Sequence, residues 1–336
     1  MKTLYNKLPG ILLAAVIAVP AWLLGKAFPV IGSPVLGILF GMILAFIKRP
    51  KLFDEGVRYT SKKLLQYSII LLGFDMNLFN VFKTGSQTLI LMCFTLTAAF
   101  VTAFAVGKWL RVEGKTATLI GVGTAICGGS AIAATAPVIG ADDDEMAHSI
   151  STIFLFNVIA AFLFPVLGHL LGMNDHSFGL WAGTAINDTS SVVAAGYTFS
   201  SAAGNLAVIV KLTRTLMIVP VTLVLALYTS RKSVGGKAAK NEPSGAKYSI
   251  LKIFPWFVLG FMAACVINTF VPMPVGLGSL LSQVGKYVIV MAMASIGLNT
   301  NIVKLVKSGG KPILLGFICW VVLSLTSLGV QYAILK

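Results

Sequence analysis

The sequence has little charge: only 11% of its 336 residues are Asp, Glu, Lys or Arg, where a soluble domain carries about a quarter. That scarcity, beside 57% hydrophobic residues and a mean hydropathy of +0.90, excludes a water-soluble fold. Acids are scarcer still, 11 against 26 Lys and Arg. In a soluble chain the resulting net charge of +15 would suggest nucleic acid, but here the bases sit between apolar runs, and no nucleic-acid partner is expected. The four cysteines, Cys93, Cys127, Cys265 and Cys319, fall inside apolar runs, so they imply no disulfide framework. His148, His169 and His176 show no metal-ligand spacing. No base lies near Cys127 in sequence to make it a nucleophile, and the GVG of Gly121 to Gly123 lacks the strand a dinucleotide fold requires. An enzyme is therefore not expected, nor any cofactor or metal.

What is present is apolar sequence in runs of about 20 residues, the length of a bilayer span. About eleven can be marked, near 9 to 28, 33 to 47, 64 to 82, 86 to 107, 116 to 138, 147 to 172, 178 to 199, 205 to 229, 250 to 271, 280 to 302 and 312 to 334. Too little chain remains for a soluble domain. The expectation is a single all-α membrane domain over residues 1–336. Lys2 and Lys7 before the first run resemble the start of a secretory signal, but Pro20 falls within the small-residue cleavage site and the charge count favours a retained span. With the N-terminus inside, 20 of the 26 Lys and Arg fall on one side, among them Lys48, Arg49, Lys108, Arg111, Arg231 and Lys304. The positive-inside rule then gives a cell-membrane protein with a cytoplasmic N-terminus and an outer C-terminus. Residues 230–250, rich in Gly, Ala, Lys and Ser, read as a cytoplasmic linker. The acidic run Asp142 to Glu145 falls on the outer side in this count and reads as the capped start of the sixth span.

Internal similarity suggests repeats. Residues 71 to 91 echo 294 to 314, and GTAICGGSAIAAT (123 to 135) echoes GTAINDTSSVVAA (183 to 195). The second pair runs in one direction if the sixth run crosses completely, so no single tandem register satisfies both. A third match, LGILFG (36 to 41) with FGLWAG (178 to 183), favours an inverted repeat of residues 33–172 and 178–334.

Chemistry concentrates where the runs are least helix-like. Gly121 to Pro137 holds four glycines and a proline, a composition that breaks a span into half-helices. The half-helix starting at Gly128 and Gly129, with Thr124, Cys127 and Ser130, can expose N–H groups to an anion; the bland reading is close helix packing. The seventh run carries Asn187, Asp188, Thr189, Ser190 and Ser191. A carboxylate at membrane depth needs a partner, and Lys211 and Arg214, on one face of the eighth run, are the candidates; the expected anion site lies between the Gly128 region, Asn187 to Ser191 and these two bases, which supply its charge. Asn157 in the sixth run and Asn299 and Asn301 in the tenth add uncharged amides.

GTAICGGSAIAATAPVI, FGLWAG, VVAAG (Val192 to Gly196), IVKLTR (Ile209 to Arg214) and GLNTN (Gly297 to Asn301) together resemble the YeiH-like sulfate exporter family over nearly the whole chain. That resemblance implies export of sulfate or a related small anion. Further similarity, to sodium/proton antiporters and bile-acid:sodium symporters, implies broken crossing helices, an elevator motion against a dimerising scaffold, and a coupling proton or sodium ion. The chain departs from the family in having Asn187 and Asp188 where many members carry His-Glu, which leaves the carboxylate without a proton-sensing imidazole. The expected function is thus a secondary transporter of a small inorganic or sulfonated anion, with two alternatives: a cation/proton antiporter using Asp188, or a channel or receptor subunit without transport of its own.

Overall fold

In a computed structural model of the chain, the described residues are 6–27, 32–235, 255–274, 276–300 and 309–334. They form helices and no strand: α1 (Leu8–Ala27), α2 (Ser33–Leu44), α3 (Asp54–Tyr59), α4 (Leu65–Leu72), α5 (Leu78–Trp109), α6 (Gly114–Ala125), α7 (Gly129–Thr135), α8 (Asp143–Leu170), α9 (Asp175–Ala185), α10 (Thr189–Phe199), α11 (Ser201–Leu216), α12 (Ile218–Gly235), α13 (Trp256–Phe270), α14 (Leu277–Asn299) and α15 (Gly310–Ile334). A π-helical turn, Thr60–Leu64, joins α3 to α4. Among the described residues six helices are long and apolar enough to cross a membrane. Val16 on α1, Phe82 and Val101 on α5 and Leu325 on α15 are each more than 60% exposed. Aliphatic and aromatic side chains turned outward on long helices are stable only against lipid, so the protein is membrane-embedded.

The fifth and seventh apolar runs do not cross, which corrects the reading of both as full spans. At the start of α6, Lys115 Nζ donates to Gly140 O at 2.6 Å and pairs with Glu145 at 3.9 Å, so residues 115 and 140 share one face of the molecule. The intervening chain runs inward as α6, turns at Ile126 to Gly128 and returns as α7. The second hairpin closes the same way. Ser200 Oγ donates to Asp175 Oδ1 at 2.7 Å, and the rings of Phe178 and Phe199 stack 4.0 Å apart, so α9 and α10 begin and end together. A hydropathy window cannot separate a hairpin of two half-helices from one straight span of the same length.

Between the hairpins α8, 28 residues and roughly 42 Å long, crosses from one face to the other. The hairpins therefore enter from opposite faces and meet tip to tip. The acidic run is corrected with them: Asp142 to Glu145 lies on the face of Lys115, not on the opposite one. Its role as a cap holds, because Asp142 accepts from the Glu145 N–H and Glu145 accepts from the Asp142 N–H, a capping box.

The helices group in two bundles. In one, α2 and α4 lie along α14, α13 packs on α4, and α1 covers α2 and α14. Small residues set these contacts: Gly37 faces Val290 and Met293, and Gly285 faces Leu71 and Leu72. The other bundle holds α5, both hairpins, α8, α11 and α15. Where they meet, Val193 and Ala194 of α10 and Ile209 of α11 pack on Ile38, Ile69 and Met293 in an apolar seam. The linker 230–250 lies outside the described residues beyond Gly235, as does Asn301.

Candidate functional site at the hairpin tips

Each hairpin turns where its sequence forbids a continuous helix. Gly128 has φ 70° and ψ −131°, a combination essentially confined to glycine. On the second hairpin Ile186 is extended and Asp188 caps α10, accepting from the Ser191 N–H at 3.3 Å and from the Ser190 hydroxyl. The tips are tied together through α8. Asn157 Oδ1 accepts from the Asp188 N–H at 3.3 Å, and a Cβ added to Gly128 would stand 3.4 Å from Asn157 Nδ2 and 3.5 Å from Asp188 Cβ. Asn157, a lone amide in the middle of an apolar span, is thus part of the site and ties the two tips together.

The ends of α6 and α9 point at the same place and leave carbonyls that no intrahelical N–H can reach. Two side chains of α11 meet them. Lys211 Nζ donates to Ile126 O at 2.7 Å and to Ile186 O at 3.0 Å. Arg214 donates through Nε to Ala125 O at 2.6 Å, and through its two Nη groups to Thr184 O and Thr124 O. Both side chains are fully buried. The spacing of three residues puts them on one face of α11, where they offset the negative ends of two helix dipoles. Among the described residues the ion pairs within 4 Å are Arg49 with Asp54 and Lys115 with Glu145, so Asp188 is paired with neither α11 cation. Thr184 also shares a 2.6 Å hydrogen bond with Ser327 of α15, which fixes the end of α9 from behind.

Several polar groups at the tips remain open. Asn187 is 1% exposed, and neither its amide nitrogen nor its amide oxygen has a hydrogen-bond partner. The Thr124 hydroxyl is in the same position. Buried unpaired amides and hydroxyls are costly and uncommon, so two of them at one junction call for a ligand or an ordered water. Gly129, Asp188 and Thr189 are half-buried and Ser130 is exposed, while Cys127, Ser190 and Ser191 are buried. The tips therefore carry a rim reachable from outside and a polar floor.

The structure brings Thr124, Cys127, Gly128, Gly129, Ser130, Asn187 to Ser191, Lys211 and Arg214 into this one junction. It does not bring Asn299 there. Asn299 ends α14 and accepts through Oδ1 from Arg49 at 2.8 Å, while Arg49 also holds Leu298 O and Asp54. That amide anchors the chain end of a helix rather than facing the tips.

Fold and site together define a polytopic membrane protein whose re-entrant hairpins converge on a polar, cation-braced junction. The chain belongs to the family described as Conserved hypothetical protein 698, matched over residues 9–316. It is 49% identical to the UPF0324 membrane protein of Streptococcus pyogenes serotype M3 over 99% of each chain. It is 48% identical to that of Streptococcus mutans over 99% of this chain and 98% of the other, and 46% identical to that of Fusobacterium nucleatum over 97% and 98%. No solved structure matches it.

Proposed function

We propose that this protein is a secondary transporter that exports a small inorganic or sulfonated anion of the sulfate class. The observation that carries this reading is the charge balance at the hairpin tips: two buried cations, Lys211 and Arg214, face one carboxylate, Asp188, beside an amide and a hydroxyl that have no partner. A surplus of one positive charge in a low-dielectric junction favours an anion, and the Asn187 amide and Thr124 hydroxyl supply directional donors for it. The carbonyl bonds of Lys211 and Arg214 make them the field of the site, with the polar tip side chains as direct contacts. Asp188, half-buried on the rim, is the carrier of a coupling proton or sodium ion.

The two-bundle arrangement supports an elevator motion, in which the hairpin bundle slides along the apolar seam at Val193 and Ile209 against a bundle that dimerises. The hairpins also support a shorter inverted repeat than residues 33–172 and 178–334. That longer register pairs the first hairpin with α14, which is unbroken from Leu277 to Asn299. A unit of one hairpin and the span after it pairs residues 123 to 135 with 183 to 195, matching Cys127 with Asn187 and Gly128 with Asp188 at the two turns. Such a unit makes one net crossing and so inverts its successor. The face of Lys108, Arg111 and Lys115 is cytoplasmic by its charge, which places the N-terminus inside and the C-terminus outside a cell membrane.

Uptake of radiolabelled sulfate into proteoliposomes, with sulfite, thiosulfate and taurine as competitors, tests the reading. Saturable, competitor-sensitive counterflow is the expected result. Proton movement with no anion requirement would replace the proposal with the antiporter using Asp188, and non-saturating conductance would replace it with a channel.

A further inference from the structure

On the face opposite Lys115, a cavity of about 250 Å³ opens between the two bundles, with Trp22, Gly32, Ser33 and Lys286 on one wall and Thr198 and Ser201 on the other. Two helices start there. α2 begins at Ser33 with no side-chain cap on its first turn. α11 begins at Ser201, where the Ser200 hydroxyl accepts the Ala203 N–H and leaves the preceding amides free of that cap. Both turn the positive ends of their dipoles to the cavity, α11 with its first free N–H groups and α2 with fewer, since Pro34 in its first turn has none.

Two further observations point to a ligand. Thr198 is 4% exposed and its hydroxyl has no hydrogen-bond partner; that oxygen lies against the start of α2, 2.6 Å from where a Cβ on Gly32 would sit. Lys286 stands nine residues into α14, roughly 13 Å from its start, and no carboxylate lies within 4 Å of it among the described residues. Its ammonium reaches Ser201 Oγ only at 3.4 Å and stands 5.5 Å from the centroid of the Tyr197 ring. A lysine inside a span without a counter-ion marks a ligand or ion path. Asp175 does not line the cavity, and its carboxylate is engaged behind the wall by the Ser200 hydroxyl at 2.7 Å.

We propose that this cavity binds a small oxyanion through Lys286 Nζ, the Thr198 hydroxyl and the N–H groups that start α2 and α11, so that the bound ion bridges the two bundles. The site is distinct from the hairpin tips, from which the 11 residues of α10, roughly 16 Å, separate it. Free sulfate and the phosphate of an anionic lipid headgroup offer the same oxygens.

The test titrates sodium sulfate into the full-length protein in phosphatidylcholine nanodiscs, following thermal stability and the fluorescence change that Trp22→Phe removes. A saturable response is expected, with the half-saturating concentration raised about tenfold in Lys286→Gln and restored to within about threefold in Lys286→Arg. Thr198→Val removes a buried unpaired hydroxyl at nearly constant shape; it should raise stability without sulfate and weaken the sulfate response, and it carries the test if Lys286→Gln does not fold. Asn187→Ala should leave the Trp22 signal unchanged, which separates this cavity from the tips. In phosphatidylglycerol nanodiscs, a Lys286-dependent gain in stability that suppresses the sulfate response would identify the oxyanion as a lipid headgroup. The proposal is overturned if sulfate acts equally on wild type, Lys286→Gln and Thr198→Val and phosphatidylglycerol gives no Lys286-dependent gain.

Discussion

Replacing Arg214 by Gln separates three roles for this side chain. Arg214 holds the carbonyls of Thr124, Ala125 and Thr184 from a fully buried position. A glutamine amide is shorter and can satisfy one of them, leaving two buried carbonyls at helix ends without a donor. Each unsatisfied group costs about 1–3 kcal/mol, so the substitution should destabilise the protein by about 2–6 kcal/mol. A melting temperature lower by roughly 5 °C or more is expected by differential scanning fluorimetry in detergent. Arg214→Lys keeps the charge but not the planar fork and should fall between. Asp188→Asn on top of Arg214→Gln should restore nothing, because the two groups are not paired. Recovery of stability in that double variant would refute this account in favour of a buried ion pair. A fully stable Arg214→Gln protein that has lost sulfate affinity would refute it in favour of direct substrate contact.

Asp188→Asn preserves a good helix cap, so folding should be retained within about 1 kcal/mol while sulfate counterflow loses its dependence on a proton or sodium gradient; unchanged coupling would remove Asp188 from the carrier role. Gly128→Ala forces a side chain into the left-handed region and should cost about 1–3 kcal/mol, whereas Gly129→Ala meets nothing nearer than Ile150 at 3.8 Å and should melt like wild type; equal losses in both would contradict the turn geometry. Single cysteines at Asp144 and His176 in a background without Cys93, Cys127, Cys265 and Cys319 should react with an impermeant thiol reagent from opposite faces, with Asp144→Cys protected in intact cells. Labelling of Asp144→Cys from outside would restore a fifth run that crosses.

Much of the site was legible in the residues themselves. Glycines and a proline between Gly121 and Pro137 are incompatible with an ordinary lipid-facing helix, so that interruption could be located at Gly128 and Gly129, whereas the polar residues from Asn187 to Ser191 stood out by their cost in hydrocarbon and not as a second break. Lys211 and Arg214 were conspicuous because charge at that depth is expensive whatever it touches. Asn299 misled because an amide in an apolar run reads the same whether it faces a ligand or, as here, receives an arginine at a helix end.

Composition and charge placement fixed the membrane, the helical class and the position of the first break, since these follow from what each residue costs in hydrocarbon, a local property. Whether a broken run crosses or returns is not local. It depends on contacts such as Lys115 with Gly140 and Ser200 with Asp175, between residues 25 apart whose separation is the same in both topologies until the chain folds. The partners of Lys211 and Arg214 are likewise backbone carbonyls, which every residue possesses and no sequence pattern distinguishes; only the convergence of two hairpin tips on α11 selects which ones they bind.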